Sequence, residues 1–368
     1  MPPPAGSHFK TALVGCGRIG ERHARILASS PESRLVGLVD SELAKAQSYA
    51  HKHGGRPYAD IREMIAAESP DVLAVCTPSG VHAEGVIAAS RAGVRNIVVE
   101  KPMALRLPDA DAMIEACEES GGRLFVVQQN RYNLAIKKLR EALEAGRFGR
   151  LVLGSARVRW CRRQDYYDQA RWRGTWAMDG GVFSNQASHH VDMLASMMGE
   201  VASVKAMAAT RLAFIEAEDT GLALLRFASG ALGVIEATTA ARPVDLEGSI
   251  SILGENGTVE VGGFAMNEMT VWRFQDETPE DAGVLERYRS NPPDVYGFGH
   301  HEFYRDVFKA IQQGKKPFVD GLEGRKSLEV ITAIYESIES GREISFPFTP
   351  EHSKLGRREA GGGRRAGT

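Results

Sequence analysis

An apolar run, Phe9 to Val14, leads directly into Gly15-Cys16-Gly17-Arg18-Ile19-Gly20, and helical periodicity takes over from Arg18. Nothing else in the chain restricts the fold as much, because a G-x-G-x-x-G between strand and helix has a backbone use for each glycine. The first permits a tight turn, the second lets the chain approach a pyrophosphate, and the third lets the helix pack on the strand. The helix N-terminus adds amide donors and positive potential. Alone the motif is a weak signal. Here the next apolar run ends at Asp40, 20 residues beyond Gly20, where a carboxylate can accept both ribose hydroxyls. Asp40 would repel a 2′-phosphate, and Ser41-Glu42 offers no arginine to attract one, so the expected cofactor is NAD rather than NADP. Gly15, Gly17, Arg18, Ile19, Gly20, Asp40 and Ser41 are its candidate contacts.

The alternation continues. Apolar runs at 9–14, 35–40, 72–77, 96–100 and 124–127 read as buried strands, separated by helical periodicity over 18–29, 41–53, 82–92 and 108–120. That rhythm predicts a doubly wound parallel sheet over 8–128, an α/β Rossmann domain. After about residue 130 it changes. A helix over 134–145 precedes a long strand at 151–160 and a helix over 185–198. Alternating strands follow at 201–211, 221–227, 231–238, 249–253, 258–261 and 269–274, then helices over 301–312 and 325–340. Ser229-Gly230 and Glu255-Asn256-Gly257 mark turns of an antiparallel meander. The second domain, 129–350, is therefore expected to be α+β with a large, mostly antiparallel open sheet. Its uncovered face suits homo-oligomerisation, as a dimer or tetramer. Residues 351–368, rich in Gly and Arg, read as a disordered tail.

Composition excludes several classes. A net charge of −2 gives no general affinity for nucleic acid, and no nucleic-acid motif is present. No apolar run reaches the roughly 20 residues of a membrane span. Four scattered cysteines without a C-x-x-C pair argue against structural zinc and disulfides and fit a reducing, cytoplasmic setting. His300-His301 is not expected to bind metal, since adjacent helical positions point apart.

Thr77-Pro78 ends a strand at the carboxyl edge of the sheet, where such folds place their ligands. Thr77 and Pro78 are further candidate cofactor contacts, as is His82 on the following helix, whose alternative is a structural hydrogen bond. Glu100-Lys101-Pro102 closes another strand on the same edge. A residue before proline is pushed towards extended backbone, which would aim the Lys101 ammonium into the crevice.

In this order and spacing, G-x-G-x-x-G, Thr77-Pro78 and Glu100-Lys101-Pro102 resemble the Gfo/Idh/MocA oxidoreductase family, over roughly residues 9–348. The resemblance places the lysine of E-K-P beside the nicotinamide, with Glu100 at the cofactor, and takes a catalytic histidine from a D-x-x-x-H pair in the second domain. The matching stretch here is Gly180-Gly181-Val182-Phe183-Ser184-Asn185-Gln186-Ala187-Ser188-His189-His190. On a helix Asn185 and His189 share a face, and His190 points about 100° away. His189 is thus the expected catalytic histidine and His190 the second choice. Asn185 replaces the usual Asp, and an amide can orient a hydroxyl but cannot titrate.

Gln129-Asn130-Arg131-Tyr132-Asn133, Arg157 to Tyr167 and Trp172-Arg173-Gly174-Thr175-Trp176 resemble one branch of that family. It oxidises the 3″-hydroxyl of UDP-N-acetylglucosaminuronic acid in bacterial surface-polysaccharide synthesis. The resemblance implies NADH reoxidised by a 2-oxo acid such as 2-oxoglutarate. It makes Gln129, Trp172 and Arg173 cofactor contacts, and Lys101, Arg131, Asn133, Arg159, Arg162, Tyr166, Asn185, His189 and His190 substrate contacts. The residues agree in direction. Residues 157–173 hold six arginines among aromatic side chains, suited to diphosphate, carboxylate and flat rings, although two or three of the six are expected to be structural. Either Lys101 or His189 would take the hydroxyl proton while the other stabilises the alkoxide. An inositol-type dehydrogenase of the same family, and a non-catalytic NAD(P)-sensing regulator, are the rival readings.

Overall fold

The computed structural model describes residues 8–289 and 297–357, and the chain divides into two compact units. The first contains residues up to Val127 together with His300–Arg325. Its strands are β1 (Phe9–Val14), β2 (Ser33–Val39), β3 (Arg56–Tyr58), β4 (Val72–Val75), β5 (Asn96–Val99) and β6 (Arg123–Val126). All pair in parallel, in the order β3-β2-β1-β4-β5-β6. Every residue of β4 and β5 is buried, as expected of strands covered on both faces by crossover helices.

Strand β3 and the helix Ile61–Glu68 after it are absent from the sequence reading. Arg56-Pro57-Tyr58 is too short to show a period, and its proline suits only an edge position. The helix has eight residues. Asp60 caps it, accepting N–H bonds from Arg62 (2.7 Å) and Glu63 (3.0 Å).

The domain boundary also differs from expectation, because residues 300–325 belong to the first unit. Val126 N–H bonds the Val319 carbonyl at 3.1 Å, Phe125 bridges to Asp320, and the Phe9 and Phe308 rings stack 5.2 Å apart. Both rings are about 1% exposed. Such a pair adds about 1 kcal/mol beyond the area it buries, enough to tie the returning segment to this core.

The second unit comprises Gln128–Gly299 and Lys326 onward. Its strands are β7 (Leu151–Arg159), β8 (Val201–Ala209), β9 (Thr220–Phe227), β10 (Leu232–Thr238), β11 (Glu247–Gly254), β12 (Gly257–Gly262), β13 (Glu268–Phe274) and β14 (Ile344–Ser345). They form one sheet in the order β13-β12-β11-β7-β10-β9-β8-β14. It is not a pure meander, since β7 and β10 pair in parallel. The helix Ser188–Met198 packs on β7. A Cβ at Gly154 would lie 2.8 Å from Leu194 and Met198, so glycine sets that close approach. On the outer face Met207, Leu222, Leu224 and Leu232 are exposed on neighbouring strands.

Two further expectations change. The helix over 185–198 starts only at Ser188. Residues 351–357 are not a disordered tail, because Glu336 accepts the N–H groups of Glu351, His352 and Ser353, and Leu355 is buried. Residues 358–368 lie outside the described residues.

Candidate active site

The first unit carries the dinucleotide features. Gly15 has φ +99°, and a Cβ there would sit 2.6 Å from the Cys76 carbonyl carbon. A Cβ at Gly20 would come within 2.0 Å of the Gly15 carbonyl oxygen. These two glycines are fixed by packing. Gly17 faces open space for 4 Å, and the 12-residue helix it opens, Arg18–Ser29, has no side-chain cap. An open approach at an uncapped helix N-terminus fits a pyrophosphate. Asp40 Oδ2 accepts the Cys16 N–H and Oδ1 the Glu42 N–H, both at 2.9 Å. The carboxylate is thereby held against the glycine loop, and each oxygen keeps a second lone pair for a ribose hydroxyl. Arg18 and Ser41 are exposed and Ile19 is half-buried. Burial, reinforced by Asp40, pushes the Cys16 thiol up to about 12, so it stays neutral.

At the end of β4, Thr77 Oγ1 is buried with no hydrogen-bond partner among the described residues. Pro78 stands beside it, half-buried. A hydroxyl in that condition fits a cofactor contact. His82 does not. Its Nε2 meets the Thr77 carbonyl at 2.8 Å and its Nδ1 the Pro102 carbonyl at 3.0 Å, and the ring is fully buried. The structural alternative holds for this residue, and burial lowers its pKa.

Glu100 is likewise turned away from the role read for it. It is buried, accepts from His23 Nε2 at 2.8 Å and from the Lys101 N–H at 3.0 Å, and lies 3.6 Å from His300 Nε2. Lys101 itself is half-buried. His23, Glu100 and His300 bring three ligand atoms within 4.8 Å of one another, so this trio could hold a metal ion. Its members are far apart along the chain, so no local spacing points to it.

The second unit carries the histidine. His189, 5% exposed, has its Nδ1 2.8 Å from Gln128 Oε1 and its Nε2 2.8 Å from Gln129 Nε2. An amide oxygen only accepts and an amide nitrogen only donates, so the ring carries its proton on Nδ1 and a lone pair on Nε2. This is the form a base requires. Gln129, expected at the cofactor, is engaged with His189, and Gln128 is a contact the sequence did not reveal. Asn185 precedes the helix rather than sharing its face, and its Nδ2 bonds Asp179. The loop in front of the helix hangs on two buried groups. Glu218 Oε1 accepts the Phe183 N–H (3.0 Å) and the Tyr335 O–H (2.8 Å), and the Tyr335 oxygen accepts the Gly181 and Ser184 N–H groups. Burial pushes the Glu218 carboxyl up to about 7.

Several residues read as substrate contacts have other partners. Arg131, 4% exposed, makes a bidentate pair with Asp192, to which Ser327 also donates. Asn133 ties down the carbonyls of Ala265 and Met266. Arg159 grips Glu236 with two bonds and meets Glu247 at 2.8 Å, and Arg157 pairs with Glu260 and Glu247. Arg162 bonds Asp245. His190 is fully buried, edge-on to Trp160 at 5.8 Å. Three of the six arginines in 157–173 are thus paired with carboxylates. Arg173 differs. It lies over Tyr166 at 4.2 Å and over Trp172 at 5.1 Å, and its Nε is buried with no hydrogen-bond partner among the described residues.

Comparison with known proteins identifies the family. Residues 9–128 match the oxidoreductase family NAD-binding Rossmann fold, and residues 140–346 match the C-terminal alpha/beta domain of the same family, Gfo/Idh/MocA. Myo-inositol 2-dehydrogenase of Thermotoga maritima is 28% identical, over 91% of this chain and 98% of its own. Among solved structures, the WlbA dehydrogenase of Bordetella pertussis, in complex with NADH and UDP-GlcNAcA, is 43% identical. Its TM-score is 0.90, over 94% of this chain and 100% of that one. The WlbA enzyme of Chromobacterium violaceum, with the same ligands, is 40% identical with a TM-score of 0.88, over 95% and 99%. The glycine loop in a matched Rossmann domain, and a second domain matched almost throughout, place this chain in the Gfo/Idh/MocA family as an NAD-dependent sugar dehydrogenase.

Proposed function

We propose that this enzyme oxidises the 3″-hydroxyl of UDP-N-acetylglucosaminuronic acid to the 3-keto sugar. The observation that carries the chemistry is the pair of glutamines that hold the His189 proton on Nδ1 and turn its Nε2 lone pair to the Gln129 amide. The substrate assignment rests on the 43% and 40% identity to two dehydrogenases crystallised with that UDP-sugar. NAD, when bound, supplies the hydride acceptor. His189 Nε2 takes the hydroxyl proton, and the Gln129 amide gives way to the sugar hydroxyl. Gln128 keeps the proton on Nδ1 and steadies the ring as it becomes cationic. Lys101 stabilises the alkoxide, or exchanges roles with His189. Asn185 orients a hydroxyl without adding charge, which suits an anionic sugar.

Arg131, Arg159 and Arg162 are committed to carboxylates, so the diphosphate and uronate contacts fall to Arg163, Arg171 and Arg173, with Tyr166 and Trp172 flanking the last. Reoxidation of NADH by 2-oxoglutarate, a cytoplasmic place in surface-polysaccharide synthesis, and a dimer or tetramer formed through the apolar outer sheet face complete the proposal. An inositol-type activity is the second reading, favoured by the curated relatives named for it. Calorimetric titration of the NAD-loaded protein with UDP-N-acetylglucosaminuronic acid, UDP-glucose and myo-inositol separates the two. Selective binding of the uronic acid is expected. Binding of inositol alone would leave only the family assignment.

A further inference from the structure

The buried cluster behind Lys101 has no part in the chemistry proposed above, yet it links four buried polar side chains in the first unit. Tyr304 Oη lies 2.6 Å from His23 Nδ1, His23 Nε2 lies 2.8 Å from Glu100 Oε1, and Glu100 Oε2 accepts the Lys101 N–H at 3.0 Å. The Tyr304, His23 and Glu100 side chains are nearly inaccessible to solvent. Tyr304 and His300 sit on one helix, Gly299–Gln313, His23 sits on the helix of the glycine loop, and Glu100 follows β5. Three elements therefore meet on the residue preceding Lys101.

We infer that Tyr304, His23 and Glu100 form a directional hydrogen-bond relay that positions Lys101. Its polarity follows from donor chemistry. The buried Tyr304 phenol donates its O–H to His23 Nδ1, 2.6 Å away. His23 must then carry its proton on Nε2, which donates to Glu100. Glu100 accepts on both oxygens, from His23 Nε2 on Oε1 and from the Lys101 N–H on Oε2, the arrangement of a carboxylate. His300 Nε2 lies 3.6 Å from Glu100 Oε1, beyond hydrogen-bond distance. The other titratable or charged groups around the cluster are Arg22, beside His300, Cys76, whose buried thiol is raised, and His82. The carboxylate thus keeps its charge, fixed by N–H donors, at the turn that presents Lys101.

This inference rests on Lys101 belonging to the reacting centre, but its test does not depend on the sugar. Long-range ¹H–¹⁵N spectra of the full-length protein report which ring nitrogen of His23 is protonated, with His23→Asn identifying the signal. The Nε2–H form is expected. The Nδ1–H form, or a shift of this signal on adding Zn²⁺ together with stoichiometric metal in the purified protein, would overturn the relay in favour of a His–Glu–His metal site. Lys101 reactivity is then measured by amine labelling and peptide mass spectrometry in wild type, Tyr304→Phe and Glu100→Gln. Changes of threefold or more at Lys101, with other lysines unaltered, are expected. Rates within 1.5-fold in both variants would show a purely structural cluster. Tyr304→Phe retains the ring and so guards against misfolding, which thermal melting would report. In turnover, kcat of Tyr304→Phe should fall three- to tenfold with the NAD dissociation constant unchanged. A wild type inactive on the UDP-sugar breaks the substrate assignment alone, because the tautomer and labelling results still decide the relay.

Discussion

The two units build their candidate site features by different means. In the first, function sits mainly in the backbone. Gly15 and Gly20 are glycines because any side chain would collide, and Gly17 is open where a phosphate approaches. In the second, function sits in side chains paired across long stretches of sequence. His189 is set by Gln128 and Gln129, and its helix is pinned by Arg131 to Asp192, pairs about 60 residues apart. A backbone site is written in local spacing, whereas a side-chain site is written in the fold.

The contrast can be broken most severely at His189. His189→Ala should lower kcat by about 10³-fold with NAD binding intact, since a positioned acid–base group contributes about 10²–10⁴. Turnover near wild type would remove the second unit's share of the chemistry. Next is Asp192→Ala, which leaves Arg131 buried without its counter-charge. A loss of about 3 kcal/mol or more in denaturant unfolding is expected.

A smaller effect is expected at Glu218, whose carboxyl is raised from 4.5 to about 7. The native protein holds this proton more tightly than the unfolded chain, so the stability it contributes is full below about pH 4.5 and lost as pH rises through about 7. Glu218→Gln should therefore gain on wild type between those values, by up to about 3 kcal/mol above pH 7. Unfolding free energies at pH 5 and 8 give the comparison, and parallel pH profiles would contradict it. The mildest case is Gly17→Ala. Nothing lies within 4 Å of the added methyl, so the melting temperature should hold while NAD affinity falls about tenfold, roughly 1.4 kcal/mol. A large drop in melting temperature would mean that this glycine too is structural.

The same contrast explains what could be read from the sequence. The helix Arg18–Ser29 and the first strand are legible to the residue, and the other long strands to within a few residues, because a strong period marks each. Arg56–Tyr58 is too short to show one. The parallel pairing of β7 with β10 leaves no trace in either strand, since alternation specifies a face and not a neighbour. Among candidate site residues, Lys101, His189 and Asp40 are legible as residue types at motif positions. The fate of the arginines was not, because Glu236, Asp245 and Glu247 lie about 75 or more residues downstream of Arg159 and Arg162, and Asp192 lies 61 from Arg131. Charge counting sees a basic cluster, and only the sheet register shows that half of it is already neutralised.

The return of residues 300–325 to the first unit has a consequence in time. The parallel sheet leaves the ribosome with its sixth strand complete at Val126, but Phe308, Val319 and Asp320, which close over Phe9 and β6, are still about 180 residues away. At about 5–20 residues per second, that gap lasts roughly 10–35 seconds. Throughout it the nascent nucleotide-binding domain carries an uncovered apolar face, and residues 128–299 of the second unit are made before the first can be finished. Synthesis therefore couples the two halves, and a stalled chain ending near residue 290 should be held by chaperones rather than by NAD.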